Sequence, residues 1–246
     1  MKKWIKRQYM RLFGLRREFE KNGSVAITSP EVLEAFTSNP ESTFLVSFPR
    51  TGSHWLRLLM ELYFERPSLV RVFYYPERTD YLTYHTHDLS LDVQHPRVIY
   101  LYREPVATIY SQMQYHGEDL ADRERIAYWA DLYGRHLDKW LVQETFTTQK
   151  TVLTYEGMQR DLAGEFRRLA AHFGETFDAG RLAAASARVT KEEVKRKTRH
   201  DEQVVTLRPA YSMTREVFRE QHGATVWEAL LAGRDHLHDF FEDTGG

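Results

Sequence analysis

Cysteine is absent from all 246 residues. That excludes disulfides, thiolate nucleophiles and cysteine-ligated zinc, and it fits a reducing compartment. No apolar run approaches the roughly 20 residues that span a bilayer. The N-terminus also carries no uninterrupted apolar stretch of the secretory type, so a cytoplasmic protein is the expectation. A surplus of one charge is missing too, since 34 Lys and Arg face 35 Asp and Glu for a formal net charge of −1. Binding to a nucleic-acid backbone needs a basic surplus, so nucleic acid is not expected as a partner and any anion site must be local. The Walker loop of nucleoside triphosphatases (Gly, four residues, then Gly-Lys-Ser/Thr) is lacking as well.

What is present suits one globular α/β domain. With 42% hydrophobic and 13% aromatic residues, the chain can bury a sizeable core. No repeat or Pro/Gly-rich linker divides it. A short helix opens at Ser29-Pro30, with Pro at its favoured first position. Residues 43–48 read as a buried strand, and 54–64 (HWLRLLMELYF) as a helix with apolar residues at helical spacing. Residues 97–102 predict a second strand, followed by a helix over 105–115, and 119–144 is mostly helical. Residues 151–154 predict a third strand, and 161–173 a helix stopped by Gly174. Alternating strands and helices imply a single α/β domain over 29–246, with a central parallel β-sheet flanked by helices.

Residues 1–28 form a separate basic segment. Its first 17 residues hold seven Lys or Arg and no acid, interleaved with Trp4, Ile5, Tyr9, Met10, Leu12, Phe13 and Leu15. Such a stretch can lie on an anionic membrane surface. It reads equally as an ordinary first helix whose apolar side packs on the domain.

Ligands of parallel sheets bind beyond the carboxyl ends of the strands, so the residues following each strand matter most. After the first strand comes Pro49-Arg50-Thr51-Gly52-Ser53-His54-Trp55. Gly52 permits a sharp turn, and the first amides of the following helix make an anion site at its positive dipole end. Arg50 adds a planar fork suited to phosphate or sulfate oxygens. The second strand ends at Arg103, and Ser111 follows eight residues later on the next helix, a guanidinium and a hydroxyl able to hold a second phosphate.

Together the two segments resemble the sulfotransferases that use 3′-phosphoadenosine 5′-phosphosulfate (PAPS). The resemblance implies a P-loop-NTPase-like sulfotransferase fold. By it, Arg50, Thr51, Gly52, Ser53 and His54 form the 5′-phosphosulfate turn, where the commoner family residue at Arg50 is Lys. Trp55 would stack on the adenine, and Arg103 and Ser111 would hold the 3′-phosphate. Tyr155, in Leu-Thr-Tyr-Glu-Gly-Met, matches the family's Tyr-Glu-Asp turn near the adenine.

His85-Thr86-His87 occupies the order of the family's Lys-Thr-His, which makes His87 the general base by resemblance. An imidazole with a pKa near 6.5 suits that task. The same residues also read as a metal pair with Asp88 or as plain loop histidines; no metal is expected. The implied reaction is direct in-line transfer, with His87, Arg50 and Ser111 as the catalytic candidates. Arg50 cannot donate a proton and would act electrostatically.

The family closes its cofactor site with a late Arg-Lys-Gly segment that has no clean copy here. Lys195, Arg196, Lys197, Arg199 and Arg208 lie in the matching region, and Arg208 is the candidate phosphate contact, the others reading mainly as a solvated helix face. Phe73, Tyr74, Tyr75, Tyr81 and Tyr84 would stack on sugar rings, line an apolar pocket, or belong to the core. The expected acceptor is a small molecule or glycan, with carbohydrate or glycolipid favoured by the basic N-terminus. Two other classes stay open: a kinase using the turn for ATP, and a non-catalytic nucleotide-binding protein.

Overall fold

The computed structural model describes residues 17–19, 25–27, 29–198 and 213–244. Most of the basic N-terminal segment, together with Arg199 and Arg208, therefore lies outside the described residues. Strands β1 (Arg17–Phe19), β2 (Val25–Ile27) and β4 (Arg71–Val72) form a small sheet in the order β1–β2–β4, antiparallel at both pairings. The larger sheet is parallel and uses β3 (Thr43–Ser47), β5 (Thr83–Thr86), β6 (Arg97–Tyr102) and β7 (Gln149–Thr154) in the order β5–β3–β6–β7. The α/β domain expected from alternating strands and helices is thus observed.

That order matters for the site. The chain leaves β3 for a neighbour on one side and then returns to the other side at β6. A crevice opens at such a reversal, beyond the carboxyl ends of the two strands concerned. β6 and β7 pair in register from Arg97 with Gln149 to Tyr102 with Thr154, so Arg103 and Tyr155 leave the sheet together.

The chain forms two compact units. One comprises Met1–Leu45, His54–His85 and Asp178–Val205, the other Val46–Ser53, Thr86–Phe177 and Thr206–Gly246. Within the first, helix α1 (Pro30–Thr37) packs Phe36 edge-on against Phe44 of β3, with ring centroids 5.8 Å apart. Helix α2 (Ser53–Phe64) buries Leu56, Leu58 and Leu59 completely. Glu61 on α2 is also fully buried and accepts the backbone N–H groups of Ser68, Phe73 and Tyr74 at 2.7–3.0 Å. Three amide donors tie the irregular segment before β5 to the helix, while burial still pushes the carboxyl pKa up to about 7. Helices α7 (Ala179–Arg188) and α8 (Lys191–Lys197) complete this unit.

In the second unit, Val98, Ile99, Tyr100 and Leu101 of β6 are entirely buried. Each such aliphatic side chain contributes about 1.5–3 kcal/mol on burial. Helix α3 (Pro105–His116) starts where Glu104 accepts the amides of Val106 and Ala107, with Pro105 at the first helical position. Arg219 of helix α9 (Arg215–Leu231) forks onto the same carboxylate at 2.8 and 3.2 Å. Helix α4 (Arg123–Leu137) runs directly into a π turn over Asp138–Val142. Helices α5 (Tyr155–Arg160) and α6 (Leu162–His172) follow β7, and a 3₁₀ segment, Asp235–Thr244, follows α9.

Candidate active site

The turn after β3 is the centre of the candidate site. All five residues of β3 are buried, so the chain emerges from the sheet at a fixed point. Thr51 is itself buried, and its Oγ1 donates to the carbonyl of Phe48 at 2.8 Å, closing the turn. Arg50 and Gly52 both take positive φ, +70° and +98°. A left-handed arginine is unusual, and such strain concentrates where the backbone must present its amides. Ser53 begins α2, whose first turn carries no acidic side chain to compete for its positive end.

Gly52 is required for a second reason. A Cβ built there would lie 2.5 Å from Cδ2 and 2.9 Å from Cε2 of Tyr155. Tyr155, the first residue of α5, is thus packed against the turn itself. Thr154 caps that helix by accepting the Gly157 amide at 2.7 Å. Arg103 meets the same ring, its guanidinium carbon 4.2 Å from the Tyr155 centroid.

Arg103 is well fixed. Its amide donates to the Tyr133 hydroxyl at 3.0 Å, and that hydroxyl donates to the Arg103 carbonyl at 2.7 Å. Its Nη1 donates to the Arg50 carbonyl at 3.3 Å, and Glu156 lies 4.0 Å from Nε. The Nε–H is buried and makes no hydrogen bond among the described residues. Burial holds the guanidinium pKa below its usual range, yet arginine stays charged at any physiological pH. A half-buried cation with a buried, unsatisfied donor beside a strained amide turn is suited to an anion bearing several oxygens.

Arg50 Nε donates to Ser111 Oγ at 3.1 Å, and its guanidinium carbon lies 5.0 Å from the Tyr115 ring centroid. The structure therefore gathers Arg50, Thr51, Gly52, Arg103, Ser111 and Tyr155 in one unit around one turn. His54 and Trp55 continue from it along α2, both half-buried; the His54 ring faces Arg71 at 3.1 Å and the edge of Phe73.

His87 follows β5. Its Nδ1 lies 2.8 Å from the carbonyl oxygen of Ser47, the last residue of β3. A carbonyl only accepts, so Nδ1 carries a proton, and in the neutral ring Nε2 holds the lone pair. His85 lies on β5, half-buried. Asp88 does not join the histidines as a ligand: its Oδ2 accepts Lys139 Nζ at 2.8 Å and Trp140 Nε1 at 2.9 Å.

Phe73 and Tyr74 are buried, while Tyr81 and Tyr84 pack on Leu69 and Val72, so four of the five aromatics serve packing. Lys197 donates to the Phe73 carbonyl and is buried, whereas Lys195 and Arg196 are exposed. Residues of the site not singled out from sequence are Tyr133, which fixes Arg103, and Tyr115, whose ring meets Arg50. Only the Trp129, Tyr133, His136 spacing on α4 signalled an inward face.

A pattern described as the sulfotransferase domain matches residues 81–237, which include His87, Arg103, Ser111 and Tyr155. No curated protein sequence matches the chain. Among solved structures, mouse sulfotransferase SULT7A1 complexed with PAP is 15% identical with a TM-score of 0.55, covering 93% of this chain and 98% of that one. Retinol dehydratase in complex with androsterone and inactive cofactor PAP is 15% identical with a TM-score of 0.52, covering 98% and 95%. The retinol dehydratase complex with retinol and PAP is 14% identical with a TM-score of 0.50, covering 96% and 93%. At these identities the likeness is one of fold.

Proposed function

The chain belongs to the sulfotransferase domain family, and from that we propose a transfer of the sulfuryl group of PAPS to an acceptor hydroxyl or amine, with His87 as general base. The observation that carries the cofactor assignment is Arg103, a half-buried guanidinium whose buried Nε–H is unbonded among the described residues, set against the positive-φ turn at 50–52. PAP in the neighbouring complexes supports the same nucleotide class for this chain.

PAPS supplies an activated sulfur with a phosphate leaving group. The chain's own residues divide the remaining work. Arg103 and Ser111 bind the 3′-phosphate. The amides of the turn, with Thr51 and Ser53, orient the 5′-phosphosulfate, and Tyr155 contacts the nucleoside. His87 Nε2 takes the proton of the acceptor as the new bond to sulfur forms and the bond from sulfur to the bridging phosphate oxygen breaks. Arg50 offsets the charge that builds on that oxygen; a guanidinium keeps its proton and does not donate it.

The acceptor class we favour is a carbohydrate or glycolipid, resting on the basic segment at residues 1–17 and its affinity for anionic surfaces. The test is bisphosphate release from PAPS across a panel of phenol, glucosamine, galactosylceramide, androsterone and retinol. Turnover highest with the sugar-bearing members supports this acceptor class. Turnover confined to androsterone or retinol overturns it. Neutralising the seven cations of residues 1–17 is expected to abolish co-sedimentation with phosphatidylserine vesicles; unchanged sedimentation removes the membrane contact.

A further inference from the structure

The strand-end histidine is held from behind by groups that the reaction itself does not use. His136 of α4 is fully buried, and its Nε2 lies 2.9 Å from the backbone carbonyl of His87. That carbonyl only accepts, so Nε2 carries a proton. The neutral ring must then accept at Nδ1, where the Tyr100 hydroxyl stands at 2.9 Å. Tyr100 is also fully buried. One tautomer of His136 satisfies both contacts, and the other sets two acceptors, Nε2 and the His87 carbonyl, against each other.

The residue after His87 is held as firmly. Asp88 takes φ +43°, and its carboxylate accepts Lys139 Nζ, Trp140 Nε1 and, at 3.3 Å, the Val93 amide. Lys139 and Trp140 are adjacent in the chain. The π turn lets both reach one oxygen, a distortion that recurs at functional sites. His87 is thus fixed at three points: its carbonyl by His136, its ring by Ser47, and its successor by the π turn.

We propose that His136 and Tyr100 are positioning residues of the transfer reaction, a buried pair that sets the His87 backbone and through it the ring that takes the acceptor proton. This rests on His87 being the base. The pair suits the task because it does not titrate with the base. The groups facing His136 are His87, Tyr100, Lys139 and the edge of Phe48, and burial holds its pKa at about 3. His136 therefore stays neutral while His87 cycles between its two states.

The test uses the full chain as wild type, His136→Phe, His136→Gln and Tyr100→Phe. Gln offers an N–H near the place of Nε2, and Tyr100→Phe removes only a hydroxyl. Imidazole nitrogen NMR reads the His87 tautomer, calorimetry reads adenosine 3′,5′-bisphosphate affinity, and bisphosphate release with the panel above reads turnover. Expected for His136→Phe is a mixed His87 tautomer and turnover down roughly 100-fold, the scale of a displacement near 1 Å, at unchanged bisphosphate affinity. His136→Gln recovers most of that loss, and Tyr100→Phe falls between. Unchanged tautomer and turnover in both His136→Phe and Tyr100→Phe overturn the proposal, as does loss of bisphosphate binding in parallel with turnover. His87→Ala separates the two claims. If it turns over like wild type, the base assignment fails whatever His136 does. If it is inactive while His136→Phe is normal, the base stands and the positioning pair does not.

Discussion

Arg50 and Ser111, 61 positions apart in the chain, meet in a hydrogen bond of 3.1 Å between guanidinium Nε and hydroxyl Oγ. The family resemblance implies that they serve different phosphates of one nucleotide, and the fold makes them neighbours. Their contributions to binding are therefore expected to be coupled. Ser111→Ala should weaken adenosine 3′,5′-bisphosphate binding about 10-fold, the scale of one hydrogen bond to a charged group. In a double-mutant cycle with Arg50→Ala, the coupling should reach about 0.5–3 kcal/mol. Additive losses would mean that the two act on the ligand independently.

Gly52→Ala should be damaging for two separable reasons. The φ of +98° strains any side chain, and the new Cβ meets the Tyr155 ring. A stability loss of about 1–3 kcal/mol is expected, with reduced bisphosphate affinity. Adding Tyr155→Ala relieves the clash and not the strain, so calorimetric melting should show partial recovery. Full recovery would assign the whole cost to the ring.

The Asp88–Lys139 pair is buried on both sides. Lys139→Met leaves the carboxylate with only the Trp140 and Val93 donors, and urea unfolding should record a loss of about 3–5 kcal/mol. The double variant with Asp88→Asn should be the milder one. If the double variant is as unstable as Lys139→Met alone, the unpaired carboxylate is not the cause.

Acid should unfold the protein through its buried histidines. Burial lowers His136 to about 3 and His172 to about 4 in the folded state, against about 6.5 when unfolded. Between those values the unfolded chain binds the extra proton, so stability is complete above pH 6.5 and falls as pH drops toward the folded values. Each excluded proton adds a slope of about 1.4 kcal/mol per pH unit. Urea midpoints at pH 7 and pH 5 should differ in that direction, and His136→Gln should flatten the difference. A midpoint independent of pH over that window would contradict the burial account.

Three of the four strands of the main sheet were legible, β3 and β6 as short apolar runs and β7 from its Val152-Leu153 centre, and Pro105 and Gly174 punctuate the helices; β5 (Thr83–Thr86), short and polar, was not. The turn at 49–55 was legible for the same reason, its residue types being demanded by local backbone and charge. The small sheet was not. Its strands of two or three residues, such as Arg71–Val72, have no room for a period. The π turn was hidden inside a continuous helical pattern over 119–144, since one extra residue in a turn leaves apolar spacing almost unchanged. His136 and Tyr100 look like ordinary members of a helix and a strand until the fold brings them 2.9 Å apart. Tertiary pairing of buried polar groups leaves no mark at the spacings that sequence reveals.

The most direct measurement is calorimetric titration of the protein and of Arg103→Ala with adenosine 3′,5′-bisphosphate, with 5′-AMP and with ATP plus magnesium. The account predicts binding that requires the 3′-phosphate and falls at least about 10-fold in Arg103→Ala, the scale of a lost charged hydrogen bond. A preference for ATP with magnesium, or bisphosphate binding indifferent to Arg103, would contradict it.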